Sequence, residues 1–190
     1  MENPTNNSNN KTVLPQISFK GKVHLITSDE ALRQLDQELS LIKQFGFDTE
    51  TKPSFKKGDV FNAALLQLAT ESTAYLIRLH HITDFQIIKN ILENENVVKV
   101  GVAIRDDIKL LQKTFKFDPK NFVELQTLAK AKGLKNYGLK GMTEEALQAT
   151  VSKGPKMTNW EILHLSDRQI NYAATDAWIG FKLYQFFNNV

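Results

Sequence analysis

VVKVGVA (97–103) reads as a β-strand with almost no polar face. A strand that is apolar on both sides belongs in a sheet covered on both faces, and that cover is usually helical. The flanking sequence supplies it. Ser28 or Asp29 can cap a helix whose Leu32, Leu35, Leu39 and Ile42 form one apolar face. Thr83 and Gln86 are spaced as a capping box for a helix through Leu92. Further helices are expected at 106–115, 121–132 and 142–150. Two more capping-box patterns follow at Thr158–Glu161 and Ser166–Gln169, the second opening a long helix through Phe187.

Strand-like segments precede the apolar run: 23–26, FGFDTE (45–50), ALLQLAT (64–70) and AYLIRL (74–79). KPSFKKGDVFN reads as a hairpin loop between the second and third. The short turn at Glu71 and Ser72 makes the third and fourth antiparallel neighbours. The expectation is an α/β protein with a mixed sheet.

A chain of 190 residues with 42% hydrophobic content suffices for one domain and one core. Residues 1–14 are Asn-rich and polar, and read as a disordered tail ahead of a single domain over 15–190. With no cysteine there is no disulfide framework, thiolate zinc site or cysteine nucleophile. No apolar run reaches membrane-spanning length, and the N-terminus lacks the pattern of a secretion signal, so no membrane partner and an intracellular, by default cytoplasmic, location are expected. A net charge of +3 permits nucleic acid without requiring it.

Four carboxylates sit where burial is expected. Asp48 and Glu50 are two apart on a strand and so point to one face. Taken alone they fit an edge strand whose acids meet water. Asp107 opens a helix a few residues after the apolar strand, at the end of a sheet where α/β proteins place their sites. Capping that helix is its simpler use. Tyr172 and Asp176 share one face of a helix that is apolar nearly all round, so Asp176 needs a partner; Arg168 and Lys182 are the nearest cations along the chain. Two unit charges about 4 Å apart repel by roughly 4 kcal/mol at an effective dielectric of 20, so converging acids demand cations or raised pKa values. Carboxylates without His or Cys ligands suit hard ions such as Mg²⁺ or Mn²⁺, and a pair of such ions suits attack at a phosphodiester.

Asp48-Thr-Glu50, Asp107 and Tyr172-x-x-x-Asp176 together resemble the motifs of the DEDD-type 3′→5′ exonucleases, in the subgroup with a tyrosine in the third motif. LLQLAT, GVAIRDDIKLL, NFVELQTLAK, MTNWEI and YAATDAWIGFKLYQ resemble segments of the Werner-syndrome exonuclease domain and ribonuclease D, in order over about 22–188. The histidine subgroup would carry His at 171, where this chain has Asn. The pattern Asp-Ile-x-x-Leu and the six-residue offset from Gly101 select Asp107 over Asp106.

The resemblance implies an RNase H-like mixed sheet of about five strands flanked by α-helices. It implies hydrolysis of the 3′-terminal phosphodiester of DNA or RNA with two divalent cations, Mg²⁺ or Mn²⁺, and release of 5′-mononucleotides. By position, Asp48, Glu50, Asp107 and Asp176 would hold the ions, Asp48 and Asp176 sharing the one nearest the attacking water. Tyr172 would orient that water. Thr49 would bond the terminal nucleotide through its backbone, and Lys153 and Lys156 would approach the strand; Leu66, Gln67 and Leu68 read as core, though the resemblance implies apolar groups near this segment, Leu66 among them, against the terminal base. Lys56 and Lys57, after the first motif, could do similar work. The other lysines between 109 and 140 read as a solvated surface, Trp160 and Trp178 as core, and His80-His81 as surface residues. A catalytically silent nucleic-acid-binding module of the same fold is the alternative, against which the intact acids argue.

Overall fold

The computed structural model describes residues 13–52, 61–152, 154 and 158–189. The strands are β1 (Gln16–Ile17), β2 (Lys22–Ile26), β3 (Gln44–Thr51), β4 (Ala63–Ala69), β5 (Thr73–Arg78), β6 (Val98–Gly101), β7 (Phe122–Glu124) and β8 (Thr150–Val151). The α-helices are α1 (Asp29–Gln34), α2 (Asp36–Leu41), α3 (Gln86–Leu92), α4 (Ile104–Thr114), α5 (Leu125–Ala131), α6 (Leu139–Ala146) and α7 (Asp167–Asn189). Among the described residues the main sheet has six strands in the order β2-β5-β4-β3-β6-β7, and β1 pairs with β8 apart from it. β3-β4 and β4-β5 are antiparallel, while β2-β5, β3-β6 and β6-β7 are parallel.

The mixed sheet flanked by helices matches the expectation, with six strands in place of about five. The addition is Phe122–Glu124, three residues expected to open a helix. They pair with β6 instead, and Glu124 then caps α5 by accepting the Gln126 amide. The helix expected through Ile42 is broken at Leu35 into α1 and α2. Thr83 does not cap α3. Its amide and hydroxyl both donate to Asp29, a partner 54 residues away. Thr158–Glu161 opens no helix. The box at Ser166 forms: Ser166 Oγ accepts the Gln169 amide, and Gln169 Oε1 accepts from the Ser166 amide and hydroxyl.

α7 lies across β3, and Gly46 lets it come close. A Cβ at Gly46 would fall 1.8 Å from the Ala177 carbonyl oxygen, so no other residue fits there without moving the helix. The β4 strand is buried along its whole length. Phe45, Phe47, Leu66 and Leu68 pack with α1–α4 on one face; Leu65, Ala173, Ala174 and Ala177 pack on the other. No helix among the described residues is long and apolar enough to cross a membrane.

Candidate active site

β3 alternates its side chains across the sheet. Asp48 stands opposite Gln67 and Glu50 opposite Leu65, with a register shift just beyond Glu50. Both acids face α7, which carries Asp176 on the turn beside the Gly46 contact. One carboxylate oxygen from each of Asp48, Glu50 and Asp176 can be chosen so that all three lie within 4.8 Å of one another. The acids are half-buried. Among the described residues, none of them has an ion-pair partner. Lys182, the candidate partner of Asp176, instead pairs with Glu71 at 3.1 Å.

The electrostatics follow from that crowding. Burial raises the Asp48 carboxyl well above its ordinary value, and the charges of Asp176, Asp107 and Glu50 add to the rise. Burial, then Asp176 and Asp107, push Glu50 up to about 8. Burial pushes Asp176 up to about 6, against the hydrogen bond it accepts from Tyr172. Burial and the adjacent Asp176 charge raise the Tyr172 phenol, which stays protonated at neutral pH. The donor set is carboxylate throughout, which suits hard divalent ions.

Asp107 is outside the trio. It lies in the first turn of α4 and accepts a hydrogen bond from the Thr49 hydroxyl. Its charge still reaches Asp48 and Glu50, and burial pushes its carboxyl up to about 6. Asp106 is exposed and paired with Lys109 at 3.1 Å, so of the two adjacent acids only Asp107 turns inward.

The expected substrate contacts fare differently. The Thr49 amide donates to Asp48 Oδ1 at 2.9 Å, so it is at the site but engaged. Leu66 is fully buried in the core facing α4, so the expected contact with a terminal base has no exposed surface to act through. Lys153 and Lys156 lie outside the described residues, as do Lys56 and Lys57, most of the 52–62 loop, and residues 1–12 of the tail. Between them Gly154 is described. A Cβ there would fall 2.2 Å from Tyr172 Cε2, so that residue lies directly against the tyrosine ring. The lysines at 109, 120 and 140 form ion pairs with Asp106, Asp118 and Glu144.

Three groups around the trio are not apparent from the sequence pattern. Trp160 is 3% exposed, hydrogen-bonds the Glu50 carboxylate and lies beside Tyr172, the rings tilted by 31° with centroids 6.3 Å apart. Arg78 at the end of β5 is buried and donates to the Ile162 and Leu163 carbonyls. The Thr49 hydroxyl holds Asp107. Only MTNWEI, among the segments carrying the family resemblance, pointed near the first of these.

The model of the 3′-5′ exonuclease family matches residues 23–190. The bifunctional 3′-5′ exonuclease/ATP-dependent helicase WRN of Mus musculus is 31% identical over 192 residues, spanning 93% of this chain and 13% of the mouse protein. The crystal structure of Escherichia coli RNase D, described as an exoribonuclease involved in structured RNA processing, superposes with a TM-score of 0.77 at 27% identity, over 88% of this chain and 46% of that one. The EXO domain of Aedes aegypti Nibbler superposes with a TM-score of 0.81 at 22% identity over 91% of each chain, a likeness of fold. This chain therefore spans less than half the length of the first two.

Proposed function

This chain belongs to the 3′-5′ exonuclease family, and from that premise we propose that residues 15–190 hydrolyse the 3′-terminal phosphodiester of a nucleic acid strand. Water attacks the phosphorus in line, the P–O3′ bond breaks, and the departing oxygen takes up a proton. The products are a 5′-mononucleotide and a strand shortened by one residue with a new 3′-hydroxyl. The carrying observation is the convergence of Asp48, Glu50 and Asp176 within 4.8 Å, with no cation among the described residues to balance them.

Bound divalent ions, two in number and either Mg²⁺ or Mn²⁺, would supply neutralisation of the acids, acidification of the attacking water and stabilisation of charge on the departing oxygen. Asp48, Glu50, Asp107 and Asp176 would hold them, Asp48 and Asp176 acting together nearest the water. Raised carboxyl pKa values support this reading, because the protons that now suppress repulsion are what cations replace. Tyr172 orients the water. Its phenol is held protonated and hydrogen-bonded to Asp176, so it serves as a hydrogen-bonding group and not as a base. Once Asp48 is otherwise engaged, the Thr49 amide is free for the terminal nucleotide. Lys153 and Lys156 contribute phosphate neutralisation.

The test uses matched oligonucleotides of single-stranded DNA, duplex DNA and RNA, labelled at the 5′ end, with Mg²⁺ or Mn²⁺. A ladder shortening from the 3′ end, abolished by EDTA, is expected on at least one of them. Binding without shortening under both ions overturns the proposal and leaves a silent binding module.

A further inference from the structure

Glu50, Leu65 and Arg78 occupy one row across three neighbouring strands, since Glu50 stands opposite Leu65 and Leu65 opposite Arg78. Residues in such a row project from the same face of the sheet. The 158–166 segment, which leads into α7, lies over this row. Arg78 grips it from below, donating to the Leu163 carbonyl at 2.7 Å and to the Ile162 carbonyl. Lys52, just past β3, pairs with Glu161 at 3.5 Å. The Gln169 side chain reaches the Asn159 carbonyl at 3.4 Å. Three elements thus fix the backbone on either side of Trp160, and its indole packs in the cluster containing Leu65.

So placed, the indole touches two of the proposed functional groups. Its N–H donates to Glu50, and its ring lies 6.3 Å from the Tyr172 ring at 31°. Gly154 lies against the tyrosine as well, closely enough that any side chain there would collide with it. Tyr172 is therefore clamped, and Glu50 is tethered, by the same buried side chain. A carboxylate that must accept an ion needs its rotamer fixed beforehand, and groups hydrogen-bonded to ligands commonly set affinity this way.

We propose that Trp160 is a positioning residue that holds the Glu50 carboxylate for ion binding and the Tyr172 ring for water orientation, coupling the two halves of the site. The inference rests on the metal-dependent reading above.

The deciding variant is Trp160→Phe, which keeps an aromatic ring beside Tyr172 and removes the N–H. Mn²⁺ binding to the substrate-free protein, followed by electron paramagnetic resonance, should weaken by roughly 10-fold or more. In turnover, kcat should fall by about the same factor while KM for the oligonucleotide holds. In a Glu50→Gln background the same substitution should cost no further Mn²⁺ affinity, since the tether then has no charged partner. Wild-type affinity in Trp160→Phe, or losses that multiply in the double variant, overturns the proposal.

A second measurement leaves Trp160 in place. The chain has 2 tryptophans, so Trp178→Phe leaves one emitter. The Trp178 indole N–H is buried with no acceptor among the described residues, so its removal strands nothing. Titration of that variant with Mg²⁺ should shift Trp160 emission, and adding Glu50→Gln should abolish the shift. No shift, or one that survives Glu50→Gln, also overturns the proposal. A protein that binds ions in these experiments but shortens no strand fails the proposed function alone and leaves the role of Trp160 intact.

Discussion

Buried charge is handled in two opposite ways in this molecule. Among the described residues Lys99 and Arg78 are the buried cations, and each is given main-chain oxygen. Lys99 Nζ donates to the Asn94 and Val97 carbonyls at 2.9 and 2.8 Å and lies 5.1 Å over the Phe122 ring. Arg78 spans two carbonyls and meets His80 at 3.1 Å. Burial lowers both pKa values, that of Lys99 to about 8, and no like charge adds to the shift at either residue. Across the sheet, Asp48, Glu50 and Asp176 face one another. Their hydrogen bonds come from one amide, one indole and one phenol. The cations draw on main-chain oxygens, with Arg78 Nε left without an acceptor among the described residues, whereas the acids face one another with no cation between them there. A stabilising charge and a working charge therefore differ less in burial than in what surrounds them.

If that distinction is right, removing charge should have opposite consequences in the two regions. Asp48→Ala or Asp176→Asn should cut strand shortening by about 10³-fold or more, as expected when an ion ligand for phosphodiester attack is lost. The metal-free melting temperature should stay level or rise, because a repulsive charge has gone. Near-normal cleavage in either variant would remove both residues from the site. Tyr172→Phe should lower kcat by roughly 10- to 100-fold with KM little changed, the range for a hydrogen-bonding group near the reacting atoms; equal changes in kcat and KM would mark a merely structural tyrosine. Lys99→Met, of similar volume, should destabilise by about 2 kcal/mol in urea unfolding, because two carbonyls lose their donor. A neutral or stabilising result would place Lys99 in the same class as the acids.

The pH response sharpens the contrast further. Glu50 is pushed up to about 8, and Asp107 and Asp176 to about 6, above the ordinary carboxyl values of an unfolded chain. The metal-free folded state therefore binds more protons than the unfolded state, so stability is full below about pH 4 for these groups and is lost as pH rises through their folded values. Melting temperature without metal should fall between about pH 5 and 8, by roughly 5 °C. Glu50→Gln should flatten the upper part of that decline; a rising or flat wild-type curve would contradict the proposed repulsion. The smallest effect is metal rescue. Millimolar Mg²⁺ should raise the melting temperature by a few degrees at pH 8, with little gain in Asp176→Asn.

Some of this was readable along the chain and some was not, for identifiable reasons. Asp48 and Glu50 share a face because strand geometry repeats every two residues, and Tyr172 and Asp176 because a helix turn brings residues four apart together. Such local rules survive folding. The Thr83 box failed because Asp29, distant in sequence, competed for the same donors. Lys99 sat unnoticed within an apolar run because its carbonyl acceptors come from a loop whose path no periodicity encodes. Trp160 read as core, and it is core; only the cross-strand row beneath it brings its N–H to Glu50. Leu66 lies one residue from Gln67, the neighbour of Asp48, yet strand alternation turns it to the other face.

The close contact between Gly46 and Ala177 has a bearing on timing. It joins the strand of Asp48 to the helix of Asp176, the last described element along the chain. The main sheet precedes that helix along the chain, so the proposed hydrolytic centre is complete only once the closing helix docks. Docking buries Ala173, Ala174 and Ala177 and completes the acidic trio in one event.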